Sequence, residues 1–107
     1  MQEMTRPQIY HLMQLKGAVK LEMLGMRHSG GKSACAHAKR VYGIKGSREK
    51  VAEYLTKMLE LQQNLKVYTT RYDEAYASGN KELLSQSEEA IQTLLEQIGE
   101  LHDHYKS

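Results

Sequence analysis

Residues 25–40, GMRHSGGKSACAHAKR, hold the densest group of side chains in the chain that could do chemistry. The stretch contains a Gly-Lys-Ser triplet, two histidines, the only cysteine and four basic residues. Four kinds of site are compatible with such a composition: a phosphate-binding loop, a metal site, a nucleic-acid contact, or a hinge between two helices. The spacing of the residues separates these four hypotheses.

The Gly-Lys-Ser triplet does not have the spacing of a nucleotide-binding loop. Such a loop needs a glycine separated from Gly-Lys-Ser by four residues, and it lies between a strand and a helix. That position is Met26, and the segment before it has the pattern of a helix. We therefore expect no nucleoside triphosphate to bind. A weaker form of the hypothesis is that the backbone N–H groups at Gly31, Lys32 and Ser33 open a helix and hold an anion.

The cysteine and the histidines do not have the spacing of a metal site or of a nucleophile with its base. Cys35 and His37 are two residues apart, which places them about 200° apart around a helix. The sequence has no second cysteine, and the His-Asp-His run at 102–104 lies near the C-terminus, where a helix frays. We expect Cys35 to be a small buried side chain and the histidines to be surface groups. The sequence predicts no metal, no cofactor, no catalytic residue and no enzymatic activity.

Charge is distributed very unevenly along the chain. Residues 27–50 carry seven basic residues against one acid, a net charge of +6, and residues 73–107 carry eight acids against two lysines, a net charge of −6. We call the seven basic residues the basic corner: Arg27, Lys32, Lys39, Arg40, Lys45, Arg48 and Lys50. A concentrated positive charge favours an anionic partner such as DNA or RNA.

The basic corner lies on a pattern that has the gross shape of a helix-turn-helix. A short helix at 33–42, the turn Gly-Ile-Lys-Gly at 43–46 and a helix from Ser47 follow one another. Arg48 and Lys50 lie near the start of the second helix, where base and phosphate contacts are usually made. The turn is longer than the usual tight one, so the pattern indicates a basic helical corner and leaves sequence specificity open. The candidate anion contacts are Arg27, Lys32, Ser33, Lys39, Arg40, Lys45, Arg48 and Lys50. The alternative is that the basic corner pairs with the acidic C-terminal segment of the same chain or of a neighbouring one.

The elements that position these residues are all predicted to be helices. We predict an all-α single domain over 1–107 with four helices, at about 6–25, 33–42, 47–77 and 80–105. Apolar residues repeat every three or four positions in the two long segments, and no stretch alternates with the period of a strand. The tight connection at 77–80 implies that the last two helices form an antiparallel hairpin with a coiled-coil-like seam.

The first helix has apolar residues on more than one side. One stripe consists of Ile9, Leu12, Leu15, Val19, Met23 and Met26. Tyr10, Met13, Leu21 and Leu24 extend apolar character to other faces. Such a helix is central in its fold or lies at an interface between subunits. Together with the long seam of the last helix, this pattern predicts a homodimer.

Composition limits where the protein acts. A single cysteine cannot form an intrachain disulfide, and we see no N-terminal secretory pattern and no apolar run of the length that spans a membrane. These features predict a cytoplasmic protein that does not bind a membrane.

Two parts of the sequence are similar to known small proteins. The runs VKLEMLGM at 19–26 and GGKSACAHAKRVYGIKGSREKVAEYL at 30–55 contain a Leu-Glu pair before a glycine, a basic glycine turn and a Gly-Ile-Lys-Gly-Ser-Arg junction. Over residues 18–60 the chain resembles small helical proteins that bacteria and their prophages encode. The resemblance implies a bacterial or phage setting and carries no active site with it.

Overall fold

The protein folds as four helices in a computed structural model that describes residues 3–25 and 33–106. The helices are α1 (Arg6–Met23), α2 (Ala34–Tyr42), α3 (Arg48–Ser78) and α4 (Lys81–Tyr105). The predicted all-α fold with a C-terminal helical hairpin is confirmed. Among the described residues, none of the helices combines the length and the apolar character that crossing a membrane requires.

Polar residues define where the helices begin, because their side-chain oxygens accept backbone N–H groups that have no partner within the helix. These residues are Thr5, Ser33, Ser47 and Asn80. Thr5 also forms a reciprocal capping pair with Gln8, and α1 has a proline in its first turn. Gly43 and Gly79 end α2 and α3 with φ angles of 63° and 72°, which favour glycine.

Helix α3 is the element against which the other three pack. α4 lies along it as the second arm of the hairpin, and α1 and α2 pack on it as well, whereas no Cα atom of α1 lies within 8 Å of one in α4. α1 runs antiparallel to α3: Glu3, before α1, pairs with Lys66, while Glu22, near the end of α1, bonds to the first residue of α2, the short helix that leads into the start of α3. The buried residues of α3 are Val51, Ala52, Tyr54, Leu55, Met58, Leu59, Gln62, Leu65 and Ala75.

The hairpin seam follows the predicted register. Ser87, Leu94, Ile98 and Tyr105 of α4 are buried, and Leu84, Ile91 and Leu101, which lie on the same side, are half-buried. One residue of the α3 series differs from the expectation: Tyr76 is 74% exposed. It lies in the last turns of α3, beyond Lys66 and Thr69, the residues that Glu3 contacts just before α1.

Gln62 is a buried polar residue within the apolar series of α3. Its Oε1 atom accepts the backbone N–H of Met4 at 2.9 Å, and its Nε2 atom donates to the sulfur of Met58 at 3.7 Å. A buried amide must find such partners, since leaving it without them is costly. Gln62 therefore fixes the chain just before α1 against the middle of α3.

We predict that Ile98→Ala lowers the free energy of unfolding by about 2–5 kcal/mol, because truncating a fully buried isoleucine loses apolar contacts and leaves a cavity. Ile98 is 0% exposed, whereas Leu95, one turn away on the same helix, is 37% exposed. Leu95→Ala is the matched control and should cost much less. Urea unfolding followed by circular dichroism measures both values, and equal losses would show that the seam register is wrong.

Candidate anion-binding corner

The N-terminus of α2 binds an anion that belongs to the chain itself. The carboxylate of Glu22, in the last turns of α1, accepts the backbone N–H of Ala34 at 2.7 Å and that of Cys35 at 3.4 Å. It also accepts the hydroxyl of Ser33 at 3.0 Å. Negative charge is favourable at this end of a helix because the unpaired N–H groups and the helix dipole point toward it. Glu22 thus connects α1 to α2 across residues 26–32.

This contact bears on the hypothesis that an external anion binds at the start of α2. The Ser33 hydroxyl donates to Glu22 and accepts the N–H of Ala36, so both of its functions are already in use. A phosphate at this position would have to displace Glu22. The other two groups of the hypothesis, Gly31 and Lys32, lie outside the described residues.

The turn between α2 and α3 is held against the end of α4. The N–H groups of Gly43 and Ile44 both bond to the carbonyl of Lys39, which closes α2, and the Ile44 side chain is buried. The N–H of Lys45 then donates to the carbonyl of Tyr105 at 2.8 Å. These contacts fix the backbone from which the basic side chains of the turn project.

The backbone conformation of this turn also requires a glycine. Gly46 has a φ angle of 128°, a conformation that other residues rarely adopt. A Cβ atom at this position would lie 3.0 Å from the Cβ of Lys50. The second glycine of Gly-Ile-Lys-Gly therefore allows the backbone conformation that leads into α3.

The described members of the basic corner are Lys39, Arg40, Lys45, Arg48 and Lys50. All but Lys39, which is half-buried, are exposed. Within residues 3–25 and 33–106, the ion pairs within 4.0 Å join Lys57 to Glu53, Lys66 to Glu3 and Lys106 to Asp103. The five cations thus make no ion pair with the acidic C-terminal segment in the described part of the chain. Arg27 and Lys32 lie outside it.

Lys50 has different surroundings from the rest of the basic corner. It lines an open groove of about 590 Å³ between α3 and α4, together with Glu53, Lys57, Glu60, Leu61, Gln97, Glu100, Leu101, His104 and Tyr105. Glu49, Glu53 and Glu60 also occupy the exposed side of α3. The first turns of α3 therefore present mixed charge, whereas a helix that enters a DNA groove usually presents basic and polar side chains to it.

A cluster of tyrosines and histidine joins the turn to both arms of the hairpin. The fully buried ring of Tyr54 lies 5.9 Å from that of Tyr42 and 5.5 Å from that of Tyr105, between ring centroids. Its hydroxyl lies 3.2 Å from Nδ1 of His102. Burial raises the pKa of Tyr54 and of Tyr42, because a phenolate is poorly solvated there.

The same contact corrects two expectations about the C-terminal histidines. His102 is half-buried against Tyr54 rather than a surface group. Helix α4 extends to Tyr105, whose carbonyl accepts the N–H of Lys45, so the 102–104 run lies on a helix end that is bonded to the turn. Sequence alone places Tyr54 and His102 48 residues apart and provides no local signal for their contact.

Cys35 and His37 lie on different sides of α2. Cys35 is buried in the core, and His37 is exposed with its ring 5.8 Å from that of His11. Among the described residues, no three His, Cys, Asp or Glu side chains form a group that could hold a metal ion.

Comparisons of the chain with protein-family models, with curated proteins and with solved structures find no match. The candidate site therefore depends on the geometry described above.

We predict that Glu22→Gln lowers the free energy of unfolding by about 1–2 kcal/mol, because a neutral amide loses the charge-dipole attraction at a partly buried helix end. Glu89→Gln, at an exposed position within α4, removes the same charge and should have little effect. Urea unfolding at pH 7 measures both. In addition, the amide resonances of Ala34 and Cys35 should shift only in the Glu22 variant, and an unchanged spectrum would contradict the capping role.

We predict that Tyr54 contributes to a loss of stability at alkaline pH. Its pKa is raised in the folded state, so above about pH 10 the unfolded chain releases a proton that the folded chain retains. The free energy of unfolding should therefore decline above about pH 10, and the decline should be shallower in Tyr54→Phe. Tyr76→Phe, at an exposed tyrosine, is the control. Urea midpoints measured across this range that fall in parallel for all three proteins would contradict the prediction.

Proposed function

We propose that this chain is a small non-enzymatic binding protein, of the bacterial or prophage type that residues 18–60 resemble. Its basic corner contacts an anionic partner, DNA or RNA, in the cytoplasm. The observation that carries the proposal is that Arg40, Lys45 and Arg48 are exposed, close together in sequence and without an ion-pair partner among the described residues. Because these cations have no ion-pair partner there, they can contact phosphates without first breaking an internal ion pair.

The contacts that this arrangement favours are with phosphates rather than with bases. The exposed side of α3 includes Glu49, Glu53 and Glu60, which would be repelled by a groove lined with phosphates. The α2 N-terminus already holds Glu22, so its N–H groups are engaged. Side chains of α2 and the turn are then the main contacts, and binding should depend strongly on salt and little on sequence.

We predict that the triple variant Arg40→Gln, Lys45→Gln, Arg48→Gln binds nucleic acid more weakly and with a shallower salt dependence. The slope of log affinity against log salt should fall by roughly one for each lost phosphate contact. The matched control is Lys16→Gln, Arg71→Gln, Lys81→Gln, which removes the same charge elsewhere and should retain most of the slope. Fluorescence anisotropy with a mixed-sequence DNA duplex and with single-stranded RNA measures both variants.

Two outcomes would count against the proposal. If the wild-type protein does not raise the anisotropy of either probe at low salt, the basic corner does not bind nucleic acid. If both triple variants lose affinity equally, binding depends on net charge and not on the corner. Circular dichroism of each variant verifies that the helices are intact.

A second candidate function is a homo-oligomeric structural or adaptor protein that binds other proteins without nucleic acid. One observation favours it: α1 leaves several large apolar side chains exposed on the side opposite its packed face. Exposed apolar patches rimmed by polar residues are typical of protein–protein contact sites.

A further inference from the structure

The outer side of α1 is a continuous apolar stripe. Tyr10, Met13, Leu21 and Leu24 are 63%, 46%, 48% and 78% exposed. At 100° per residue these positions and Gly17 fall within an arc of about 80°. Leu12, Leu15 and Val19, which pack into the core, lie on the opposite side. Among the described residues, the stripe therefore faces away from the core that Leu12, Leu15 and Val19 enter.

Gly17 lies at the centre of the stripe, and neither its backbone conformation nor a close neighbour in the single chain requires a glycine there. Its φ angle is not positive, and a Cβ atom added there would meet nothing within 4 Å. Glycine within a helix is unfavourable relative to alanine, so the isolated chain would be more stable with another residue. A glycine in the middle of an exposed helix face lets a second helix approach closely, since the separation of two helices depends on the side chains between them.

The stripe has a symmetric spacing that matches a second copy of itself. Tyr10 and Leu24 are each seven residues from Gly17, and Met13 and Leu21 are each four residues from it. If two copies of α1 pack antiparallel with a two-fold axis at Gly17, Met13 of one lies level with Leu21 of the other. Tyr10 in the same way lies level with Leu24. A two-fold interface requires this self-complementarity, in which residue i meets j and j meets i.

We infer that the outer face of α1 is the surface on which a second copy of this chain packs, antiparallel and with Gly17 at the two-fold axis. The inference gives the second candidate function a surface and a register, and it does not depend on nucleic-acid binding. From Tyr10 to Leu24 the stripe is about 21 Å long. A contact of one helix pair is at the small end of specific interfaces, so the dimer should dissociate on dilution in the micromolar range.

A charge exchange tests both the partner and the register. Sedimentation equilibrium of the wild-type protein from about 1 to about 500 µM should show a concentration-dependent shift from monomer to dimer. Met13→Glu or Leu21→Lys alone should move the equilibrium toward monomer by tenfold or more, because each places a charge against an apolar side chain. The double variant should recover dimerisation, since each introduced carboxylate then meets the introduced ammonium group of the other copy, twice in each interface. Mixing the two single variants should produce a heterodimer.

The controls and the overturning results are distinct. Val67→Glu, at a similarly exposed apolar residue of α3, should leave the mass unchanged. A wild-type monomer at every concentration would overturn both this inference and the homo-oligomeric function. A dimer that Met13→Glu and Leu21→Lys do not weaken would overturn the surface alone. A dimer that both weaken and the double variant does not restore would overturn the antiparallel register.

Gly17→Leu gives an independent test in which stability and association change in opposite directions. Leucine favours the helix, and a Cβ atom at this position would meet nothing within 4 Å in the single chain, so the melting temperature of the monomer should rise. The same side chain would separate the two helices at the axis, and the dimer should weaken. Gly99→Leu is the matched control on α4, also with open space around its Cβ position, and should leave the mass unchanged. An undiminished dimer in Gly17→Leu would overturn the central position of Gly17.

Discussion

The burial of one side of α3 is the constraint on which the rest of the structure depends. α1, α2 and α4 each pack on this helix, and α1 and α4 do not approach one another. Without phenylalanine or tryptophan, the chain fills this core with aliphatic side chains, methionine and the ring of Tyr54. α1 and α2 also pack on one another, and neither has a Cα atom within 8 Å of α4. For α1 the consequence is an apolar outer face, and for the last turns of α3 it is a two-helix arm with little of its own core.

Internal polar contacts then decide which groups remain for an outside partner. The N–H groups that open α2 are bonded to Glu22, so the most obvious anion site is satisfied within the chain. The cations of the α2–α3 turn are exposed and make no ion pair in the described part of the chain. The backbone N–H groups at the start of α2 are therefore occupied, whereas the side-chain cations of the turn are not. In the proposed function, an external anion therefore contacts exposed side-chain cations rather than the N–H groups at the start of α2.

Sequence was sufficient to predict the helices but not the contacts between them. The repeat of apolar residues at three and four positions and the caps at Ser33, Ser47 and Asn80 are local signals, and each helix begins and ends within about two residues of its predicted bounds. Glu22 could not be identified in this way, because its partners follow 11–13 residues later across a break. The contact of Tyr54 with His102 is also non-local. The basic residue types could be read from the sequence as candidate anion contacts, but that their described members make no ion pair required the packed structure.

The tyrosine cluster connects the hairpin core to the backbone of the basic corner. Tyr54 bridges Tyr42 at the end of α2 and Tyr105 at the end of α4, and the carbonyl of Tyr105 holds the backbone of Lys45. The turn that carries the cations is thus held at both sides by groups that the core itself fixes. Binding to such a turn costs the entropy of the side chains alone, whereas a free loop would also lose backbone entropy. A change in the packing of the cluster should therefore shift the backbone of the turn, because Tyr105 belongs to the cluster and also accepts the N–H of Lys45.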